Sequence, residues 1–284
     1  MLQQYKQQIE RLVDLAIEED IGDGDHSALA SIPADAIGKA KLLVKDDGIL
    51  AGVELALFIF NKIDNQLKVE VLLHDGAEVK FGDIAFYVTG SERSILQAER
   101  LVLNFMQRMS GIATNTNRLV KLIEDTNCKL LDTRKTTPGL RIIEKWAVKI
   151  GGGYNHRVGL YDMIMLKDNH IDYCGGIERA IDSANKYNAE TGRSLAIEIE
   201  TRNLNDVARV IAHGGVQRIM IDNFSVEDAR KAVSLINHTV EVEASGGITE
   251  ATLRQYAETG VDFISVGALT HSVKSLDLSL KATL

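Results

Sequence analysis

Five cations follow closely on short apolar or glycine runs of this chain. Arg134 and Lys135 follow residues 129–132, His156 and Arg157 follow a triple glycine at 151–153, and Lys167 follows residues 162–166. Like charges gathered at one mouth repel unless a ligand supplies anions. Arginine grips planar carboxylates through paired hydrogen bonds, whereas lysine supplies a compact charge for phosphate. The group points to a small polyanionic ligand; pairing of each cation with a surface acid is the plainer alternative. Glu200 and Asp222 close two further runs. Carboxylates there can hold Mg2+, which prefers oxygen ligands and keeps phosphate oxygens and waters in its shell. They can equally hold a ribose, or pair with the same lysines and arginines. Glu198 and Glu243 also lie on apolar runs, but carry less weight because alternation along a strand can set them apart from Glu200. Ser245-Gly246-Gly247 and Gly267-Ala268-Leu269 end the last two runs. Free backbone N–H groups and close approach at glycine suit a phosphate; a tight turn is the alternative.

These groups need a scaffold that brings them together. Apolar runs at 129–132, 162–166, 195–199, 218–221, 240–244 and 263–266 recur at roughly 20- to 35-residue intervals, each followed by an amphipathic stretch, as strand-plus-crossover-helix units require. Six such units predict a parallel β/α barrel, whose sites gather at the C-terminal ends of the strands. A doubly wound open sheet is the alternative, weakened because no strand is followed by a GxGxxG fingerprint. Residues 38–92 read mostly as β, with runs at 40–44, 69–73 and 84–89 and a helix at about 53–62. Residues 4–19 and 94–125 read as helical, the second as one long helix or two. Ile9, Leu12, Val13, Leu15 and Ala16 form the apolar stripe of the first. The expected division is a small α/β domain over 1–105 and a barrel over 106–271, with residues 272–284 free to pack back on the first domain.

The whole-chain charge looks at first unfriendly to anions: the 284 residues carry a formal charge of −8. That balance excludes a general nucleic-acid or anionic-membrane face, and a 5% aromatic share is too sparse for stacking single-stranded bases. Hydrophobic residues at 45% and charged residues at 25% describe a globular chain. Cys128 and Cys174 belong to no paired motif, so two lone buried thiols in a reducing compartment are expected. The N-terminus lacks the basic start and apolar run of a signal peptide, and the apolar stretch 49–60 is broken by Glu54 and too short to span a bilayer. A cytoplasmic protein is the expectation. Trp146 reads as core; His213 and His238 read as structural or exposed.

In order along the chain, several runs resemble the quinolinate phosphoribosyltransferases. They are Glu99-Arg100, Ser110-Gly111-Ile112-Ala113-Thr114, Asp132-Thr133-Arg134-Lys135-Thr136, Asn155-His156-Arg157, Leu166-Lys167-Asp168-Asn169-His170, Asp222-Asn223-Phe224, Ser245-Gly246-Gly247-Ile248 and Ser265-Val266-Gly267-Ala268-Leu269-Thr270-His271. The resemblance covers nearly the whole chain and is most specific between residues 99 and 271. Asp25-His26-Ser27 departs from the expected Asp-x-Thr but keeps a hydroxyl. The resemblance implies an α/β fold, a small α/β-sandwich domain beside an incomplete β/α barrel, and a homodimer, with hexamers in some members. It implies conversion of quinolinate and phosphoribosyl pyrophosphate, with Mg2+, to nicotinate mononucleotide, pyrophosphate and CO2 in NAD biosynthesis. Carried over, Arg134, His156, Arg157 and Lys167 hold the quinolinate carboxylates, with Arg100 reaching in from the neighbouring subunit. Thr133 and Lys135 meet the substrates, Lys135 at the phosphoribosyl donor. Glu200 and Asp222 bind the ribose and metal-bound pyrophosphate, directly or through water. The loops at Ser245, Gly246 and Gly247 and at Gly267, Ala268 and Leu269 cradle phosphate. Lys135, Lys167, Glu200 and Asp222 form the catalytic set.

Two substrates that together carry many negative charges require concentrated positive charge, which agrees with the cation cluster. Other readings remain at this level. A related protein found with molybdenum transport, or a phosphoribosyltransferase for nicotinate, would use the same fold, though a single carboxylate leaves four or five cations in excess. A phosphate-ligand sensor would not explain Glu200 and Asp222 beside the cations.

Overall fold

A computed structural model describes residues 1–283. In chain order the first elements are α1 (Lys6–Ile21), α2 (His26–Ser31), β1 (Ile37–Val44), β2 (Gly48–Ile49), α3 (Val53–Ile63), β3 (Lys68–Val71), β4 (Glu78–Val79), β5 (Ile84–Ser91) and α4 (Glu92–Lys121). There follow β6 (Lys129–Leu131), α5 (Arg141–Ile150), β7 (Ile164–Leu166), α6 (Asp168–Cys174), α7 (Ile177–Thr191), β8 (Ile197–Thr201) and α8 (Leu204–His213). The chain closes with β9 (Arg218–Asp222), α9 (Val226–Ile236), β10 (Glu241–Ser245), α10 (Glu250–Ala257), β11 (Phe263–Ser265), α11 (Ala268–His271) and β12 (Leu278–Ala282).

Two compact units emerge, and they exchange segments. The first takes Met1–Asn117, Thr136–Gly152 and the C-terminal segment from Ala268; the second takes Arg118–Lys135 and Gly153–Gly267. The helix α4 runs unbroken across residue 105. In the first unit an antiparallel sheet has the order β12-β1-β5-β3. The C-terminal strand joins it through pairs running from Ala40↔Ala282 to Val44↔Leu278. Strand β1 alternates so that Ala40, Leu42 and Val44 are buried. The helix α3 turns Leu55, Ile59 and Phe60 inward, and Phe60 meets Phe86 of β5 edge to face at 5.8 Å. Of the stripe on α1 only Ile9 and Val13 are buried, and Leu15 is exposed. Trp146 is buried on α5, beside Glu144, whose carboxylate accepts from Arg108 and from the Thr137 N–H.

The second unit holds six parallel strands in the order β6-β11-β10-β9-β8-β7. Every apolar run of the second half forms one of them. Helices return the chain between β7 and β11, and side chains cap their starts: Asn203 accepts from the Asp206 N–H and Ser225 from the Asp228 N–H. The neighbour order is that of a β/α barrel left open, since among the described residues β6 and β7 do not pair. Tyr154 instead lies beside β6, its N–H donating to Leu130 and its carbonyl accepting from Asp132. That short pairing carries the Asn155-His156-Arg157 segment to the C-terminal ends of the strands.

Candidate active site

Side chains two residues apart on a strand share a face. That rule brings Met165 and Lys167, Met220 and Asp222, and Glu243 and Ser245 onto the inner face of the parallel sheet. They line a cleft of about 490 Å3 together with Thr133, Arg134, Lys135, His156, Arg157, Glu200, Asn223, Gly246, Gly247 and Ser265. All five cations singled out from the sequence therefore meet in one cleft, as do Glu200 and Asp222.

Local hydrogen bonds aim these groups. At the end of β6 the buried Asp132 carboxylate accepts from the His156 N–H at 2.9 Å and from Asn155 Nδ2 at 2.6 Å. The Thr133 hydroxyl accepts from the Lys135 N–H at 3.0 Å, a local turn that bends the strand exit. Arg157 donates from Nη1 to the Met163 carbonyl, and the Asp162 carboxylate accepts from the Val158 and Gly159 N–H groups. Burial and the neighbouring Arg134 both press the Arg157 pKa down. An anion between the two guanidinium groups would relieve that repulsion.

On the opposite wall, Lys167 Nζ lies 3.6 Å from Glu200 Oε2. Burial raises the Glu200 pKa; Lys167 opposes the rise, while Asp222 and Asp168 add to it. A carboxylate so crowded by other acids favours a cation nearby. Asp222, the last residue of β9, accepts from Asn223 Nδ2 at 2.6 Å. Asn223 adopts the left-handed region (φ 57°), and its N–H donates to the Ser245 carbonyl at 2.9 Å. Against it lies Gly246, at φ +87°. A Cβ there would stand 2.6 Å from the Asn223 Cγ and 2.8 Å from its backbone nitrogen. Glycine is required at this contact for both reasons.

The floor of the cleft holds residues that sequence reading underweighted. Glu198 and Glu243 are fully buried. His156 Nε2 lies 3.0 Å from Glu198 Oε2 and 3.3 Å from Glu243 Oε2. Arg218 reaches Glu243 at 3.1 Å and Glu241 at 2.8 Å. Alternation could have found them: Glu198 stands two residues before Glu200 and so faces the same way, one layer deeper. Burial works against charge on His156, but Glu198 and Glu243 override it and raise its pKa to about 9. On the other ring nitrogen, the Arg157 N–H lies 2.6 Å from Nδ1 and donates to it. A second proton on the ring must displace that contact, so the two demands compete. Glu198 is pushed up by burial and by Glu243, against the pull of His156. Burial also opposes charge on Glu243, but His156 outweighs it and draws the pKa down.

Not every expected residue reaches the cleft. Arg100 is exposed on α4 and is not among the lining residues. Gly267, Ala268 and Leu269 do not line it either; Leu269 is fully buried, and Ala268 opens α11. β11 ends at Ser265, and α11 begins at Ala268. Cys128 is buried as expected, whereas Cys174 is partly exposed. His213 pairs with Asp182 at 2.8 Å.

Two acidic groupings could bear a metal. Glu200 and Asp222 offer oxygen donors at neighbouring strand ends, as Mg2+ prefers. His156, Glu198 and Glu243 bring ligand atoms within 4.8 Å of one another. Arg218 already neutralises Glu243 there, and an imidazole suits transition metals better than Mg2+. Among the described residues no helix is long and apolar enough to cross a membrane.

Residues 25–110 match the model of the quinolinate phosphoribosyl transferase N-terminal domain, and residues 112–281 that of its C-terminal domain. A chloroplastic carboxylating nicotinate-nucleotide pyrophosphorylase of Oryza sativa is 46% identical, over 96% of this chain and 77% of the relative. A probable enzyme of that name from Bacillus subtilis is 42% identical, over 98% and 94%. The solved nicotinate-nucleotide pyrophosphorylase of Francisella tularensis superposes with a TM-score of 0.91 at 42% identity, covering 98% of this chain and 96% of that one. Two matched domains in the right order, on a fold whose strand ends gather cations around a carboxylate pair, make this chain a member of the quinolinate phosphoribosyl transferase family.

Proposed function

We propose that this chain transfers the phosphoribosyl group of phosphoribosyl pyrophosphate to the nitrogen of quinolinate, yielding nicotinate mononucleotide, pyrophosphate and CO2 in NAD biosynthesis. The carrying observation is the single cleft in which Arg134, Lys135, His156, Arg157 and Lys167 face Glu200 and Asp222. Arg134, Arg157 and Lys167 hold the two acceptor carboxylates, with His156 in the wall beside them. Thr133 and Lys135 orient the donor, and the open backbone at Ser245, Gly246 and Gly247 receives its phosphate. Glu200 and Asp222 stand where the ribose gains positive character as the bond to pyrophosphate stretches, and their charge stabilises it. The pyridine nitrogen then bonds to the anomeric carbon. Its new positive charge stabilises the electron pair left on the adjacent ring carbon as the bond to the carboxylate breaks and CO2 departs, and a proton from solvent then takes the carboxylate's place on that carbon. No side chain is called on as a covalent nucleophile; positioning and electrostatics carry the rate.

Glu200 and Asp222 are also the residues that would hold Mg2+, directly or through water. Mg2+ held there would supply positive charge to balance the negative charge of the pyrophosphate. Arg100 serves the cleft of a partner subunit in a homodimer, a reading supported by its exposed place on α4 and by the family resemblance. The two free cysteines fit a cytoplasmic location.

The deciding assay is release of CO2 and formation of the mononucleotide, dependent on quinolinate, phosphoribosyl pyrophosphate and Mg2+. Turnover of nicotinate in preference to quinolinate, or none of either, overturns the proposal. For the shared site, mixing Arg100→Ala with a separately inactivated cleft variant restores activity through hybrid dimers. No recovery despite confirmed subunit exchange refutes it.

A further inference from the structure

The charges beneath the cleft need an explanation that stability does not supply. Glu198 and Glu243 are completely buried, and burying ionised groups is costly even when they are paired. A well-packed apolar set of the same volume holds such a layer together at least as well. What the carboxylates do is grip His156. Nε2 lies between Glu198 at 3.0 Å and Glu243 at 3.3 Å, and Arg218 anchors Glu243 at 3.1 Å. Arg218 is itself fixed over the Phe263 ring at 4.1 Å. From the other side Asp132 holds the His156 N–H, and Nδ1 accepts from the Arg157 N–H. Nε2 thus stands at ion-pair distance from both buried carboxylates and Nδ1 stands 2.6 Å from the Arg157 backbone nitrogen, so the ring is a strut between the buried acids and the backbone of Arg157.

We propose that Glu198 and Glu243 are positioning residues for acceptor binding, fixing the His156 ring and through it Arg157 in the cleft wall. The proposal rests on the quinolinate reading above. The shape of the acceptor pocket is then set from below, before substrate arrives. The donor side, around Gly246 and Asp222, hangs on other hydrogen bonds, which Asn223 donates to the Asp222 carboxylate and to the Ser245 carbonyl. Loosening the strut should therefore weaken one substrate and spare the other.

The test uses the full chain and the variants Glu198→Gln and Glu243→Gln, which keep shape while removing charge. Each should raise the quinolinate KM roughly tenfold or more, since removing one partner of a buried charge pair is costly. kcat and the KM for phosphoribosyl pyrophosphate should stay within about twofold. Equilibrium binding of quinolinate alone should weaken in parallel. A merely structural role would instead lower the melting temperature and affect both substrates alike, and that result overturns the proposal. Because Glu198 is argued to act through His156, Glu198→Gln added to His156→Asn should cost nothing further; additive losses refute the strut. Should neither glutamine variant fold, the 15N signal of His156 Nε2 in the unaltered protein decides. It should stay in place when quinolinate binds, and a shift showing the ring turning to the ligand overturns the proposal. If the unaltered protein binds no quinolinate at all, the functional reading fails; if it binds while the variants bind equally well, only the positioning role fails.

Discussion

Replacing Gly246 by alanine should cripple the donor half of the cleft by way of a neighbouring loop. The residue sits at φ +87°, where an L side chain costs roughly 1–2 kcal/mol. Its new Cβ would stand 2.6 Å from the Asn223 Cγ and 2.8 Å from the Asn223 backbone nitrogen. The amide side chain could swing aside, but then it releases the Asp222 carboxylate that it holds at 2.6 Å. The backbone nitrogen cannot swing, because its N–H is tied to the Ser245 carbonyl at 2.9 Å. One of the two loops must therefore move, and both line the cleft. If the strain is expressed in donor binding, each 1.4 kcal/mol is tenfold, so the conformational cost alone should raise the KM for phosphoribosyl pyrophosphate roughly 5- to 30-fold and the collision should take it higher. Gly247 supplies the comparison: it also has positive φ, at +61°, but a Cβ there meets its nearest atom only at 4.0 Å. Gly247→Ala should show the conformational cost without the collision, a rise of roughly 5- to 30-fold and smaller than that of Gly246→Ala. Steady-state kinetics with quinolinate saturating and donor varied, beside melting curves, measure both variants. Equal effects from the two substitutions, or a donor KM within twofold of the unaltered protein for Gly246→Ala, would refute the reasoning.

Arg134→Ala should lower quinolinate turnover roughly 100-fold by removing two charge-assisted hydrogen bonds, with an unchanged melting temperature; near-normal activity would remove Arg134 from the acceptor site. Glu144→Ala should destabilise the first unit. It removes the carboxylate to which Arg108 donates at 2.8 Å, leaving that guanidinium only backbone carbonyls, and leaves the Thr137 N–H without its acceptor. A loss of about 3 kcal/mol is expected, read as a melting temperature lower by roughly 5–10 °C; an unshifted melt contradicts the buried pair. Burial, aided by the nearby Asp262, pushes the Cys128 thiol up to about 12, so it stays protonated and slow to react. Iodoacetamide at pH 8 should therefore alkylate the partly exposed Cys174 first, as mass spectrometry of peptides would show; labelling of Cys128 first would be the contrary result.

Much of this protein is legible in one dimension. Each of the six apolar runs forms a parallel strand, because short hydrophobic segments alternating with amphipathic helices bury both sheet faces in that arrangement. The cations Arg134, Lys135, Lys167 and the acid Asp222 could be placed at one mouth because strand ends of a parallel β/α unit all point the same way. Family resemblance supplied the chemistry that those charges serve. Other features depended on contacts between residues far apart in the chain. The exchange of Thr136–Gly152 and of the C-terminal strand into the first unit follows from packing and from pairing with β1, which no local pattern encodes. The strongest case is His156: its residue type says that it can carry charge, but only the fold closes Glu198, Glu243 and Arg218 around it. Burial and the partners of a titratable group, which set its protonation and orientation, are properties of three-dimensional proximity and cannot be read from spacing along the chain.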